Sequence, residues 1–284
     1  MALRINYNFE SVSAQRNLSQ TQGSFFKAIE QLSSGLRINK AADDAAGLAV
    51  SEKLKNQVRG LNQAQRNAQD SISLLQTAEG ALNETHSILA RMRELAVQSS
   101  NDTLTNADRL HIQDEVNQLL SEVDRIAAAT QFNTIPLLNN SGPLSMQFHV
   151  GANNVLTNSV DELSFTIGDA STAGIAVANL ATGSAQSLTT QSGSNAAISV
   201  LDTAIEDISS RRGAIGAMQN RLNSTIASLG VASENTGAAN SRIRDADVAS
   251  AVSEMVRNQI LQQSTMAVLA QANQAPQMAL QLLK

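Results

Sequence analysis

Apolar residues recur along most of this chain at the spacing of a helix. Phe25, Ile29, Leu32 and Leu36 fall four, three and four residues apart, the step of one helical face. Val12, Leu18 and Gln22 extend that face less regularly. Residues 33–57, SSGLRINKAADDAAGLAVSEKLKNQ, carry Gly35, Gly47 and the Asp43–Asp44 pair and predict a turn-rich connection. From Leu75 a heptad series runs Leu75, Leu82, Leu89, Ala96, beside a second of Ala78, Thr85, Met92, Ser99. Leu74, Ala81, Ile88 and Leu95 widen the stripe to the width of a bundle helix. Asn101, Asp102 and Thr103 supply turn chemistry, with Thr105 or Asn106 as the N-cap of the next helix. That helix reads Ile112, Val116, Leu119, Val123, Ile126, Thr130, and the short connection makes it the antiparallel neighbour of the one before.

The pattern then changes period. Met146, Phe148 and Val150 alternate, Gly151–Asn154 turn, and Leu163, Phe165 and Ile167 alternate again. Two short strands or hairpins are expected between about 132 and 170. Residues 170–195, rich in Ser, Thr, Ala and Gly, show no period and predict a short variable loop. Leu201, Ile205, Ile208, Ile215, Leu222, Ile226 and Leu229 restore the helical step. After SENTGAANSRIRD another helix carries Val248, Val252, Met255 and Val256 into STMAVLAQANQAPQMALQLLK, residues 264–284. Pro276 is expected to end its regular part, because proline has no backbone N–H.

The fold class is therefore mainly α, a long-helix bundle or coiled coil with a small β-hairpin region and its N- and C-terminal helices paired. The bundle core is assigned to Leu75, Leu82, Leu89, Val116, Leu119, Val123, Ile208, Ile215 and Leu222. The two ends pose an energetic problem. Ordering roughly 80 terminal residues costs about 1–2 kcal/mol each in backbone entropy. Two thin Ala-rich stripes facing one another do not offset that at about 25 cal/mol per Å² of buried apolar area. Burial must come from other copies or a partner, and an unpartnered stripe of this length marks an interaction surface.

Composition narrows the chemistry. Aromatic residues make up 2 % of the chain, with six Phe, one Tyr and no Trp, so the apolar content is aliphatic and suits close helix packing. Three prolines leave room for long helices. A net charge of −5 and no basic run argue against nucleic acid. Without cysteine there is neither a disulfide nor thiol chemistry. No apolar span of about 18 residues and no signal-peptide core near Met1 point to a membrane or to cleaved export. His86, His111 and His149 lie far apart, and His111 with Asp114 and Glu115 reads as a solvated helix face. No phosphate loop, nucleophile elbow or carboxylate pair is found, so neither enzyme activity nor cofactor is expected.

Seven stretches together resemble a known family. They are LSSGLRINKAADDAAGLAVSEKL (32–54), SISLLQTAEGALNETHSILARMRELAVQSSND (71–102), IQDEVNQLLSEVDRIAAATQFN (112–133), FHVGAN (148–153), IGAMQNRL (215–222), SRIRDADVASAVSEM (241–255) and ILQQSTMAVLAQANQAPQ (260–277). In this order they are similar to the bacterial flagellins, the filament subunits of the flagellum, in a short form without large outer variable domains.

The resemblance implies a division into residues 1–42 and 243–284 as an inner coiled coil, disordered in the monomer, 43–57 as a spoke connection and 58–242 as an outer bundle. It implies polymerisation into a helical filament that serves swimming. Assembly is then carried by inner-core residues Phe25, Ile29, Leu32, Val252, Met255, Met266, Leu269, Leu280 and Leu283. It implies secretion by the flagellum's own type III export apparatus without a cleaved signal peptide, and an extracellular home in the filament. Implied partners are further copies of the chain, an export chaperone, the filament cap and the hook–filament junction proteins. At Arg91, Leu95 and Glu115 it implies contacts to the innate flagellin receptor of animals, with Ala90 standing where relatives often carry Gln. A hook–filament junction protein and a helical secretion-system adaptor or chaperone are the alternatives.

Overall fold

The computed structural model describes residues 7–139, 143–153 and 161–281. Its elements in chain order are α1 (Phe9–Ser34), α2 (Ala45–Ser99), α3 (Asn106–Ala129), β1 (Gln131–Phe132), β2 (Ile135–Pro136), β3 (Leu144–His149), β4 (Glu162–Ile167), α4 (Gln191–Arg244) and α5 (Val248–Gln281). The chain divides into two compact units. One is Val58–Ser233, and the other gathers the two ends, up to Gln57 and from Glu234.

In the Val58–Ser233 unit, the buried face of α2 reads Leu61, Ala64, Ala68, Ser71, Leu75, Ala78, Leu82, Thr85, Leu89, Met92, Ala96, Ser99. The steps alternate strictly between three and four, the 3.5-residue repeat of a coiled-coil seam. Leu201, Ala204, Ile208, Ile215, Met218, Leu222 and Leu229 of α4 keep the same phase. Polar pairs at the edge of that seam fix its direction: Asn62 pairs with Ser233, Glu79 with Gln219 and Arg93 with Asp202. Moving forward along α2 means moving backward along α4, so the two are antiparallel. Arg91–Glu115 and Ser99–Arg109 show the same relation between α2 and α3, as the short connection predicts.

Thr105 is the N-cap of α3, in a reciprocal box with Asp108. Its hydroxyl and backbone N–H both donate to Asp108 Oδ2, which holds that carboxyl below the usual range. On α3 the seam passes through Val116, Leu120 and Val123. Leu119, expected in the core, is only partly buried and packs against it. In a 3.5-residue repeat the step after Val116 is either three or four, and here it is four.

The strands form two antiparallel pairs. β1 and β2 close through Asn133 (φ 49°) and Thr134 (φ 65°), both left-handed, the backbone of a type I′ hairpin turn. In the β3–β4 hairpin Leu144 faces Ile167, Met146 faces Phe165 and Phe148 faces Leu163, so one apolar face covers the bundle. The turn expected after Val150 is organised by Asp161, whose carbonyl accepts from Val150 N and whose Oδ2 accepts from Asn153 N. Asn154, placed in that turn by sequence, lies outside the described residues.

Of the loop expected over 170–195, residues up to 190 are irregular while 191–195 already belong to α4, and the irregular part belongs to the core. Ala170, Ile175, Val177, Leu180 and Leu188 are buried, and Ala178–Leu180 form one turn of 3₁₀ helix. Side chains of α3 tie the segment down. Asp124 accepts from the backbone and the hydroxyl of Thr172. Gln113 Nε2 donates to Leu180 O at 2.8 Å, and Gln113 Oε1 accepts from Leu188 N at 2.6 Å.

In the unit formed by the chain ends, the predicted connection 33–57 is shorter than the sequence suggests. Gly35 (φ +70°) ends α1 in the left-handed conformation, but α2 already begins at Ala45. Asp44 Oδ1 accepts from Gly47 N. A Cβ at Gly47 would stand 2.3 Å from Asp44 Oδ2 and 2.9 Å from Ile38 Cδ1, so this glycine serves close approach within a helix. Asp43 Oδ2 accepts from Asn39 N and Lys40 N, and Asp43 pairs with Lys27 at 2.8 Å.

Three segments meet in that connection. Arg37 N donates to Arg244 O at 2.7 Å and Ala246 N to Gly35 O at 2.9 Å. Likewise α4 runs unbroken through Thr236 and Gly237 to Arg244, where the sequence suggests an interruption. The break comes at 245–247, and Asp247 Oδ1 accepts from the next helix's first amides, Ala249 N and Ser250 N.

A second expectation about helix ends is overturned. α5 continues past Pro276 to Gln281. Proline removes the bond to the carbonyl four residues earlier, and that carbonyl, Ala272 O, accepts instead from Asn8 Nδ2 at 2.8 Å. The helix survives its proline because the orphaned acceptor has another donor.

Candidate assembly surface

In the unit of chain ends α1 and α5 run antiparallel. Asn8 and Ser11 meet Ala272 and Asn273 near one end, and Gly35 meets Ala246 near the other. What they bury is small. The fully buried residues of α1 are Ala14 and Ala28, and α5 buries Ala251 and Ala272. Alanine lets the backbones approach but contributes about 0.8 kcal/mol per buried methyl, against about 1–2 kcal/mol to fix each backbone residue.

Several large apolar side chains of this pair face outward. Phe9 and Phe26 are each 67 % exposed, Ile260 is 60 % and Val268 55 %. Val252, Val256, Ile260 and Leu261 line an open apolar groove of about 500 Å³ along α5, edged by Ser253 and Arg257. A second, of about 550 Å³, runs between α1 and α5 and includes Phe9, Ala14, Val268 and Ala272. A monomer leaves such a surface only where something covers it.

Of the residues assigned to assembly by sequence, Ile29, Val252 and Met266 are exposed on this surface. Phe25, Leu32, Met255 and Leu269 are half-buried. The side chain of Leu280 and the whole of Leu283 lie outside the described residues.

The charged patch on the bundle is different in kind. Arg91 reaches across from α2 to α3, its Nε and Nη2 both donating to Glu115 Oε1 at 3.1 and 2.9 Å, while Nη1 donates to Glu94 Oε2. These carboxylates raise the guanidinium's pKa, Glu115 most. Arg91 and Glu115 stay about half exposed, where ion pairs add little to stability and remain available to a partner. Leu95 is not on this patch. It is 2 % exposed and packs in the bundle core, so its part in any contact is to hold α2 in place.

Sequence reasoning missed the polar residues that position these surfaces. Arg109 is buried, donating to the carbonyls of Ser99 and Asn101 and to Asn106 Oδ1. It closes the α2–α3 turn, which Asn101–Thr103 alone made visible. Asn8 sits ahead of the first clear apolar step. Among the described residues no cluster of three His, Cys, Asp or Glu side chains is placed to hold a metal ion. No helix among them is long and apolar enough to cross a membrane.

The chain matches the model of the bacterial flagellin N-terminal helical region over residues 5–142 and that of the C-terminal helical region over 198–283. It is 50 % identical to a flagellin of Halalkalibacterium halodurans over 280 residues, covering 99 % of both chains. It is 46 % identical to flagellin FlaB2 of Treponema pallidum over 290 residues, again covering 99 % of each. Among solved structures, a putative flagellar hook-associated protein from Vibrio parahaemolyticus superposes with a TM-score of 0.57 at 13 % identity, covering 72 % of this chain and all of that one, a likeness of fold alone.

Proposed function

The chain belongs to the bacterial flagellin family, and on that footing we propose that it is a structural subunit that polymerises into the extracellular flagellar filament and so serves swimming. The observation that carries this is the α1–α5 pair, which among the described residues buries only alanines and turns Phe9, Phe26, Val252, Val256, Ile260 and Val268 to the outside. A helix pair built this way gains most of its burial from further copies.

In this reading residues 1–42 and 243–284 form the inner coiled coil, 43–57 the connection to it and 58–242 the outer bundle. Before assembly the inner segments are disordered, because what the two helices bury does not repay their ordering entropy. Export proceeds without a cleaved signal peptide, with a chaperone on the C-terminal segment. The filament cap and junction proteins are the remaining structural partners. The monomer is also a ligand of the innate flagellin receptor of animals through Arg91 and Glu115, whose pair is exposed in the single chain. No step of this function is enzymatic.

Electron microscopy of the purified chain after salt-induced assembly on filament fragments tests the reading. Elongated filaments are expected, whereas persistent small complexes would favour an adaptor or chaperone. Hydrogen exchange on the unassembled chain should find fast amides in α1 and α5 beside slow ones in α2–α4, and protection of α1 and α5 appears once filaments form.

A further inference from the structure

The proline in α5 singles out one carbonyl. Along a regular helix every carbonyl up to the last turn already accepts from the N–H four residues on, so a neighbour reaching it adds only a second bond to a paired group. Pro276 breaks that uniformity by leaving Ala272 O without its helical partner, at a residue that is only 6 % exposed. Asn8 fills the vacancy. Its Nδ2 donates to Ala272 O at 2.8 Å, while its Oδ1 accepts from Ser11 N at 3.1 Å and so caps α1. One carboxamide thus starts α1 and completes α5. One turn further into α1, Ser11 Oγ donates to Asn273 Oδ1 at 2.8 Å.

The apolar packing cannot supply what this contact supplies. Among the described residues those buried in the pair are alanines, which interdigitate weakly and fit nearly as well when one helix slides by a turn. Polar contacts at defined positions fix the register of such seams. We propose that Asn8 sets the register of α1 on α5, and that Pro276 provides the carbonyl it reads, one left without its helical N–H. Given the assembly reading above, this register decides which apolar side chains each copy presents to the next.

A double-mutant cycle tests it. Asn8→Ser keeps a side-chain oxygen for the cap but is too short to reach Ala272 O, and Pro276→Ala restores the helical N–H. In seeded growth, Asn8→Ser should raise the critical concentration about tenfold, the effect of one unpaired buried carbonyl. In the Pro276→Ala background it should raise it less than about threefold. Equal rises in both backgrounds, or no rise in either, would overturn the proposal.

Register is also read chemically in the assembled filament, where α1 and α5 are ordered, because the chain has no cysteine of its own. The pair Ser11→Cys with Asn273→Cys should oxidise to a bridge at least about tenfold faster than Ser11→Cys with Leu269→Cys, one turn away, and Asn8→Ser should erase that preference. No preference in the parent sequence would refute the register role, whereas failure of the parent chain to elongate seeds would refute the assembly reading instead.

Discussion

Gln113 and Leu188 are joined by a 2.6 Å hydrogen bond from the leucine's backbone N–H to the glutamine's Oε1, in a side chain that is 1 % exposed. The same carboxamide donates to Leu180 O. It thereby stands in for a strand partner to a segment that has none, and permits Leu180 and Leu188 to be buried without orphaned backbone groups.

Replacing Gln113 with Leu should leave both backbone groups unpaired in the core and destabilise the Val58–Ser233 unit by about 2–4 kcal/mol. Thermal unfolding followed by circular dichroism should show a midpoint lower by several degrees. An unchanged midpoint would mean that the 168–190 segment is held by its apolar side chains alone.

Leu82 and Leu222 lie at the centre of the α2–α4 seam, 1 % and 0 % exposed. Leu82→Asp or Leu222→Asp buries a charge with no partner, and either should abolish the cooperative melt of the bundle. A cooperative transition at the parent temperature would show that the seam tolerates a carboxylate there.

The seam is also where the sequence was most legible. From Leu75 to Ser99 the three–four alternation identified the buried face of α2, because a helix covered on one face must repeat at its own period, whereas the earlier buried positions Leu61, Ala64, Ala68 and Ser71 were not read. The β3–β4 hairpin was legible for the same reason at period two. Residues 170–190 were not, since Asp124 and Gln113 anchor them by side chain to backbone bonds that leave no periodic mark. Glycine misled at position 47, where close packing inside a helix looks like a turn, and at Gly237 within α4. Proline misled at 276, because its missing donor is replaced from residue 8, at the other end of the chain.

Asp43 gives a pH dependence. The hydrogen bond from Lys27, with those from the backbone of Lys40 and Asn39, lowers its carboxyl to about 2, against about 3.9 in an unfolded chain. A depressed carboxyl contributes stability that is fully present above about 4 and is lost as pH falls through about 2. Assembled protein should therefore lose stability across that window, and Asp43→Asn should flatten the loss there while lowering stability at neutral pH. The same acid profile in the variant would assign the acid response to other carboxylates.

Arg91→Ala and Glu115→Ala should leave the melting midpoint unchanged within a degree or two, since the pair is exposed, yet weaken monomer signalling in cells that express the innate receptor. Leu95→Ala should differ by lowering the midpoint, at about 2–5 kcal/mol for a buried leucine. Full potency in both charge variants would remove Arg91 and Glu115 from the contact.

In the proposed assembly the outward apolar stripe of α5 is the surface that copies share, and deleting residues 264–284 removes Met266, Val268 and the Asn8 clasp at Ala272, all of them outside the Val58–Ser233 unit. Sedimentation after seeding, with the full and truncated chains side by side and their bundle melts matched, measures the consequence directly. The full chain should pellet as filaments and the truncated chain should stay in the supernatant. Filaments from the truncated chain at the same protein concentration would contradict assembly through this surface.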